Sequence, residues 1–226
     1  MTREEIVARI VEIGLVPVIR ASSPKSAHAA ADAVAEGGIP VFEITMTVPN
    51  AIQVIRELAK DGSGKFLVGA GTVLDADSAL MCLDAGAQFL VSPGLDIGMV
   101  GVARRNGVPV LPGALTPTEV MAAAKAGADL IKIFPCGNVG GPAYIKALRG
   151  PFPKLPFIPT GGVNFDNAAD FIRAGAAALG AGTDLVDKSA LESGKTDIIV
   201  ANARRFVSIV QETRAALGRS VATVSR

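Results

Sequence analysis

Five times along this chain a glycine stands between a run of helical spacing and a short apolar run: AEGGIP (35–40), DAGAQF (84–89), RNGVPV (105–110), KAGADL (125–130) and RAGAAA (173–178). A glycine placed there supplies the left-handed residue that ends a helix, which other residues adopt at a cost. Its recurrence predicts one helix-then-strand unit used repeatedly, and such alternation folds as a parallel sheet covered by helices.

The segments between the glycines fit that unit. Thr2 with Glu5 forms a capping-box pattern ahead of Ile6, Ile10, Val11 and Ile13, predicting an opening helix that Gly14 ends. Strands are predicted at 16–21 (VPVIRA), 39–45 (IPVFEIT), 66–72 (FLVGAGT), 88–94 (QFLVSPG), 108–113 (VPVLPG), 129–135 (DLIKIFP), 157–162 (FIPTGG) and 176–182 (AAALGAG). Ser23-Pro24, Asp75 and Thr116-Pro117-Thr118-Glu119 mark helix starts between them, and a long helix is predicted over about 196–217. The strands are nearly continuous apolar runs, as expected when both faces of a parallel sheet are covered. Eight strand–helix units predict an α/β fold, a (β/α)8 TIM barrel with an N-terminal helix, in one domain over 1–226, with 219–226 a flexible tail. A doubly wound open sheet shares the alternation, but no GxGxxG follows the first strand.

Composition removes several function classes. A net charge of +1 without Lys/Arg clusters gives no electrostatic footprint for nucleic acid. No apolar run is long enough for a membrane span, and MTREE is not a signal-peptide start. Cys82 and Cys136 are too few for a disulfide scaffold, which points to a reducing, cytoplasmic setting. His28 is the single histidine and no acidic cluster accompanies it, so no metal is expected.

In a (β/α)8 barrel the chemistry sits where strands end. The polar residues there are Arg20, Glu43, Thr45, Thr47, Thr72, Ser92, Lys132, Thr160 and Thr183. Lys132 in LIKIF and Glu43 in VFEIT are ionisable groups inside apolar strands. Read alone, Lys132 most often would be a strand-end lysine with its ammonium in water. Glu43 equally could be half of a structural ion pair with Arg20 or Lys132. Together in one barrel mouth they read as an amine nucleophile beside a general base, able to form a Schiff base with a carbonyl substrate. The glycines of PTGGVN (159–164) and GAGTDL (180–185), after strands seven and eight, let the backbone approach a phosphate, and Thr183 adds a hydroxyl. Glu119 reads as half of a capping box, His28 as a packing or surface residue, and Cys136 as a structural thiol.

FEIT, GAGTV, VSPGLD, LPGALTPTE, IKIFP and GPFPKLPFIPTGGVN, in this order over about residues 13–185, resemble the 2-keto-3-deoxy-6-phosphogluconate (KDPG) and 4-hydroxy-2-oxoglutarate (KHG) aldolase family. The resemblance implies a metal-free, cofactor-free class I aldolase, a homotrimer that cleaves KDPG reversibly to pyruvate and glyceraldehyde 3-phosphate. It assigns the imine to Lys132 and the acid/base role to Glu43. Thr72 and Pro93 would line the pyruvate pocket, Phe134 would pack by the lysine, and Gly161, Gly162 and Thr183 would bind phosphate. Many relatives carry arginine, which binds the substrate carboxylate, where this chain has Thr47. Arg20, at the end of strand one, is the residue here that could supply a carboxylate or phosphate contact instead. The sequence leaves open 4-hydroxy-2-oxoglutarate or the galactonate epimer as substrate, an imine-independent phosphosugar isomerase, and a non-catalytic phospho-ligand barrel.

Overall fold

The computed structural model describes residues 1–61 and 65–218; the tail expected at 219–226 lies outside the described residues. All five inter-element glycines that the sequence singles out adopt positive φ: Gly38 96°, Gly86 98°, Gly107 65°, Gly127 99° and Gly175 98°. Each turns the chain from a helix end into the next strand, so the local rule sets the global repeat.

The strands are β1 (Leu15–Ile19), β2 (Val41–Thr45), β3 (Leu67–Gly71), β4 (Phe89–Val91), β5 (Val110–Leu111 and Gly113–Ala114), β6 (Ile131–Ile133), β7 (Phe157–Pro159) and β8 (Leu179–Ala181). The expected fifth strand is divided at Pro112, which has no N–H to give to the ladder, although its carbonyl accepts the Lys132 N–H at 3.0 Å. All pairings are parallel, and neighbours run β5-β4-β3-β2-β1-β8 on one side and β5-β6-β7 on the other. A bridge from Thr160 to Gly180 joins β7 to β8 and closes the barrel. The open-sheet alternative is therefore excluded.

Around it lie α1 (Arg3–Ile13), α2 (Pro24–Glu36), α3 (Ala51–Asp61), α4 (Ala76–Asp84), α5 (Ile97–Arg105), α6 (Pro117–Ala126), α7 (Pro142–Arg149), α8 (Ala168–Arg173), α9 (Lys188–Glu192) and α10 (Thr196–Ala216). The expected starts are present. Thr2/Glu5 and Thr116/Glu119 both form complete capping boxes, and the Ser23 and Asp75 side chains accept from Ser26 N and Ser78 N. Glu119 is thus a cap. His28 sits on α2 with Nε2 2.8 Å from Glu57 Oε2 on α3, a packing contact between helices. The sequence reading did not single out α8 or α9, which have only six and five residues.

Alternation along each strand sorts the side chains into two sets. Leu15, Ile19, Phe42, Ile44, Val68 and Ala70 point outward into the helix layer. Val16, Val41, Leu67, Phe89, Leu111 and Ile158 point inward, where Ile6 and Ile10 of α1 join them and seal the barrel floor. Gly69 makes room for this layer, since a Cβ there would lie 2.3 Å from the Phe89 ring. The floor is also tied by polar contacts. Arg3 Nη2 lies 2.7 Å from Asp129 Oδ1. Arg214 on α10 donates to the carbonyls of Glu12 at 2.7 Å and of Val11 and Ala177 at 2.9 Å.

Candidate active site

The inward set of the floor repeats two residues further along every strand. Val16 is followed by Val18 and Arg20, Val41 by Glu43 and Thr45, Leu130 by Lys132 and Phe134, and Ile158 by Thr160 and Gly162. The period of two therefore lifts Glu43 and Lys132 one layer above an apolar floor and aims both into the same space. Both are buried, with relative exposures of 2% and 4%. Lys132 Nζ lies 3.7 Å from Glu43 Oε1, beyond hydrogen-bond range, and that oxygen has no hydrogen-bond partner. A carboxylate and an amine face each other across a gap with one lone-pair face unused.

Burial pushes the Glu43 carboxyl above its ordinary value of 4.5, and the nearby charges of Lys132 and Arg20 offset part of that rise. Desolvation favours the protonated carboxyl, so this group can hold a proton as well as release one, which a shuttle requires. Space for it is made by Gly71, where a Cβ would stand 2.6 Å from Glu43 Oε1. The Phe134 ring centroid lies 5.4 Å from Lys132 Nζ and walls the amine on the β6 side.

The other expected residues ring the mouth. Thr72 follows β3 with φ 60°, one of two non-glycine residues at positive φ among those described. A β-branched residue held there costs about 1–3 kcal/mol, and such strain collects at ligand sites. Half-buried Pro93 lies over Gly113, where a Cβ would meet the Pro93 carbonyl oxygen at 2.1 Å. Thr47 is exposed at the end of β2, and its hydroxyl lies 2.8 Å from that of buried Thr45, which in turn donates to the Ile19 carbonyl at 3.2 Å. Gly161 and Gly162 adopt φ 83° and 80° after β7. Their carbonyls are engaged by neighbouring loops: that of Gly161 accepts from Gly137 N at 2.8 Å, and that of Gly162 from Asn167 Nδ2 at 2.7 Å. In a trans peptide N–H opposes C=O, so the Gly162 and Val163 N–H groups point away from those bonds. Arg20 and Thr183 are exposed at the rim after β1 and β8.

Sequence reading missed Gly71, Gly137 and Asn167, which act by giving room or by holding a loop. Asn164 and Asn167 bonding each other's backbone was the available signal, in NFDN. Cys136 is buried next to the lysine loop, and burial pushes its thiol up to about 12, so it remains a thiol. Among the described residues, no three His, Cys, Asp or Glu side chains gather as a metal site.

A closed barrel with a buried lysine and carboxylate at its mouth defines the layout of an imine-forming enzyme. The family profile "KDPG and KHG aldolase" matches residues 6–202. The 2-dehydro-3-deoxy-phosphogluconate aldolase of Pseudomonas aeruginosa is 36% identical over 81% of this chain and 83% of its own. The KHG/KDPG aldolase of Escherichia coli is 36% identical over 85% and 90%. Among solved structures, the Legionella pneumophila KDPG aldolase with pyruvate captured as a covalent carbinolamine superposes with a TM-score of 0.82 at 30% identity, over 88% of this chain and 96% of that one. The chain belongs to the KDPG and KHG aldolase family, and with it to the lyases of class I pyruvate-aldolase type. Gly71→Ala is expected to displace the Glu43 carboxylate and lower aldolase kcat about 100-fold. Thermal melting and circular dichroism alongside the rate assay should show the fold retained.

Proposed function

We propose that this chain cleaves KDPG reversibly to pyruvate and glyceraldehyde 3-phosphate through an imine on Lys132. The observation that carries the reading is the buried Lys132–Glu43 pair, 3.7 Å apart with an unpartnered carboxylate oxygen. Once the Glu43 carboxylate has taken the ammonium proton, the Lys132 amine adds to the C2 carbonyl to give a carbinolamine, and return of that proton to its hydroxyl lets water leave, giving the iminium and a Glu43 carboxylate. Glu43 takes the C4 hydroxyl proton, the C3–C4 bond breaks, and its electron pair moves into the iminium to leave an enamine and the aldehyde. Protonation of the enamine at C3 and hydrolysis release pyruvate and restore the amine. Thr47, Thr72 and Pro93 receive the pyruvate end, Phe134 excludes water beside the amine, and Gly161, Gly162 and Thr183 receive the phosphate. No metal or cofactor takes part, since the protonated imine itself is the electron sink. The partners are small keto-acids and aldehydes rather than nucleic acid or membrane.

The chain works as one barrel domain in the cytoplasm, a setting that suits its two free, buried cysteines. It assembles as a homotrimer through an apolar face. Leu74, Leu80, Met81, Ile97 and Met121 are exposed on or beside the successive helices α4, α5 and α6, and large exposed apolar groups in one region mark an interface. A designed cage fused from symmetric oligomeric domains is similar to this chain, at 32% identity and a TM-score of 0.83 over 91% of this chain and 74% of that one, which supports an oligomer.

Borohydride with pyruvate is expected to add one reduced pyruvyl group, on Lys132; peptide mass spectrometry that finds no adduct, or one on another lysine, overturns the assignment. The acid limb of kcat/KM is expected above 4.5, because burial raises Glu43. Arg20→Gln should move that limb further up, since it removes a charge that holds the carboxyl down; an unmoved limb in a pH–rate profile argues against Glu43 as the titrating group. Ile97→Asp should convert trimer to monomer in sedimentation equilibrium, and an unchanged mass excludes this face.

A further inference from the structure

The chain has one tyrosine and no tryptophan. That tyrosine, Tyr144, is half-buried in the first turn of α7, and its hydroxyl donates to the carbonyl of Leu115, 29 residues earlier in the loop after β5. Leu115 lies between β5 and α6, so its carbonyl is outside the ladders of both elements. Its N–H is held as well, by Glu119 Oε2 of the α6 capping box at 2.7 Å. The acceptor thus sits on a residue fixed at both polar groups, whereas the start of α7 has little of its own to hold it. Gly141 stands at the N-cap with no side chain to give, and it and Gly140 adopt φ 56° and 111°.

The stretch that joins the strand of Lys132 to α7 is gripped along two edges. On the β5 edge, the Phe134 N–H donates to the Ala114 carbonyl at 3.2 Å, and Tyr144 takes the next carbonyl, that of Leu115. On the β7 edge, the N–H groups of Cys136 and Gly137 donate to the carbonyls of Thr160 and Gly161 at 2.9 and 2.8 Å. Three of these four bonds join backbone to backbone, and the fourth depends on a side chain. Between the edges stands the Phe134 ring, 5.4 Å from Lys132 Nζ and so near Gly161 that a Cβ there would lie 3.3 Å from it. We infer that Tyr144 is a positioning residue for the chemistry at Lys132. Its hydroxyl pins the start of α7 to the loop after β5, and the connection so held keeps the Phe134 ring beside the amine. Tyr144 touches no substrate and acts through Phe134. One hydrogen bond of this kind shifts an equilibrium by about 5-fold, which sets the size of effect to look for.

The inference rests on the imine chemistry proposed above, and its test separates the two. Tyr144→Phe removes one oxygen and keeps the ring. It is expected to lower kcat for KDPG cleavage and the rate of borohydride trapping of pyruvate by about 5-fold each, with KM within about 2-fold of native. In a Phe134→Leu background the same change should have no further effect, because the residue it acts through is gone, and a double-mutant cycle reads this directly. With a single tyrosine in the chain, growth on fluorotyrosine replaces Tyr144 alone, and this variant, which keeps the hydroxyl, should keep native rates. Native kcat and native trapping in Tyr144→Phe overturn the positioning role. So do losses that multiply with those of Phe134→Leu, or a melting temperature that falls below the assay temperature, since either makes Tyr144 a stay of α7 alone. A native enzyme that traps no pyruvate overturns the aldolase reading and this role with it.

Discussion

An ammonium and a carboxylate held 3.7 Å apart inside a protein are a poor way to stabilise it. Removing each ion from water costs several kcal/mol, while two unit charges about 4 Å apart attract by about 4 kcal/mol at the effective dielectric of a protein. The loss exceeds the gain, and the raised carboxyl of Glu43 is the same imbalance seen from one partner. The surroundings have to hold the pair in place against it. An apolar floor fixes its depth, Gly71 leaves space for the carboxylate, and the Phe134 ring flanks the amine. The rigid, fully buried strands β1, β2 and β3 supply what the pair does not contribute itself. In the reaction proposed above, an arriving carbonyl occupies the gap and gives the unpartnered oxygen something to exchange protons with. The destabilisation present in the free enzyme is thereby relieved along the reaction path.

The repeat and the pair were legible in the sequence because each rests on a strictly local rule. A helix end that turns into a strand needs a left-handed residue, and all five glycines so placed take that conformation. An ionisable residue inside an apolar strand has few explanations, so Lys132 and Glu43 stood out one at a time. That they meet follows from strand parity, which could be applied once β2 and β6 were assigned. What stayed hidden depends on what an atom would strike across the barrel. Gly71, Gly113 and Gly180 look like ordinary strand glycines until the missing Cβ is built: it would meet Glu43, Pro93 and Thr160 within 2.6 Å. The break in β5 turned on a single absent N–H at Pro112, in a run whose apolar pattern is unbroken.

The ring of strands has its seam between β1 and β8, where Leu15 pairs with Leu179. The floor is fastened by Arg214, whose partners on α1 lie 202 and 203 residues earlier in the chain. The first helix and first strand therefore wait for the last ones. As the chain emerges from synthesis, Ile6 and Ile10 have no finished barrel beneath them, and the free edge of β1 has no neighbour on that side. Contacts this distant in sequence form late and slowly, and an apolar helix face beside an open strand edge attracts other chains meanwhile. The same closure that seals the floor makes α1 and β1 wait for partners made far later in the chain.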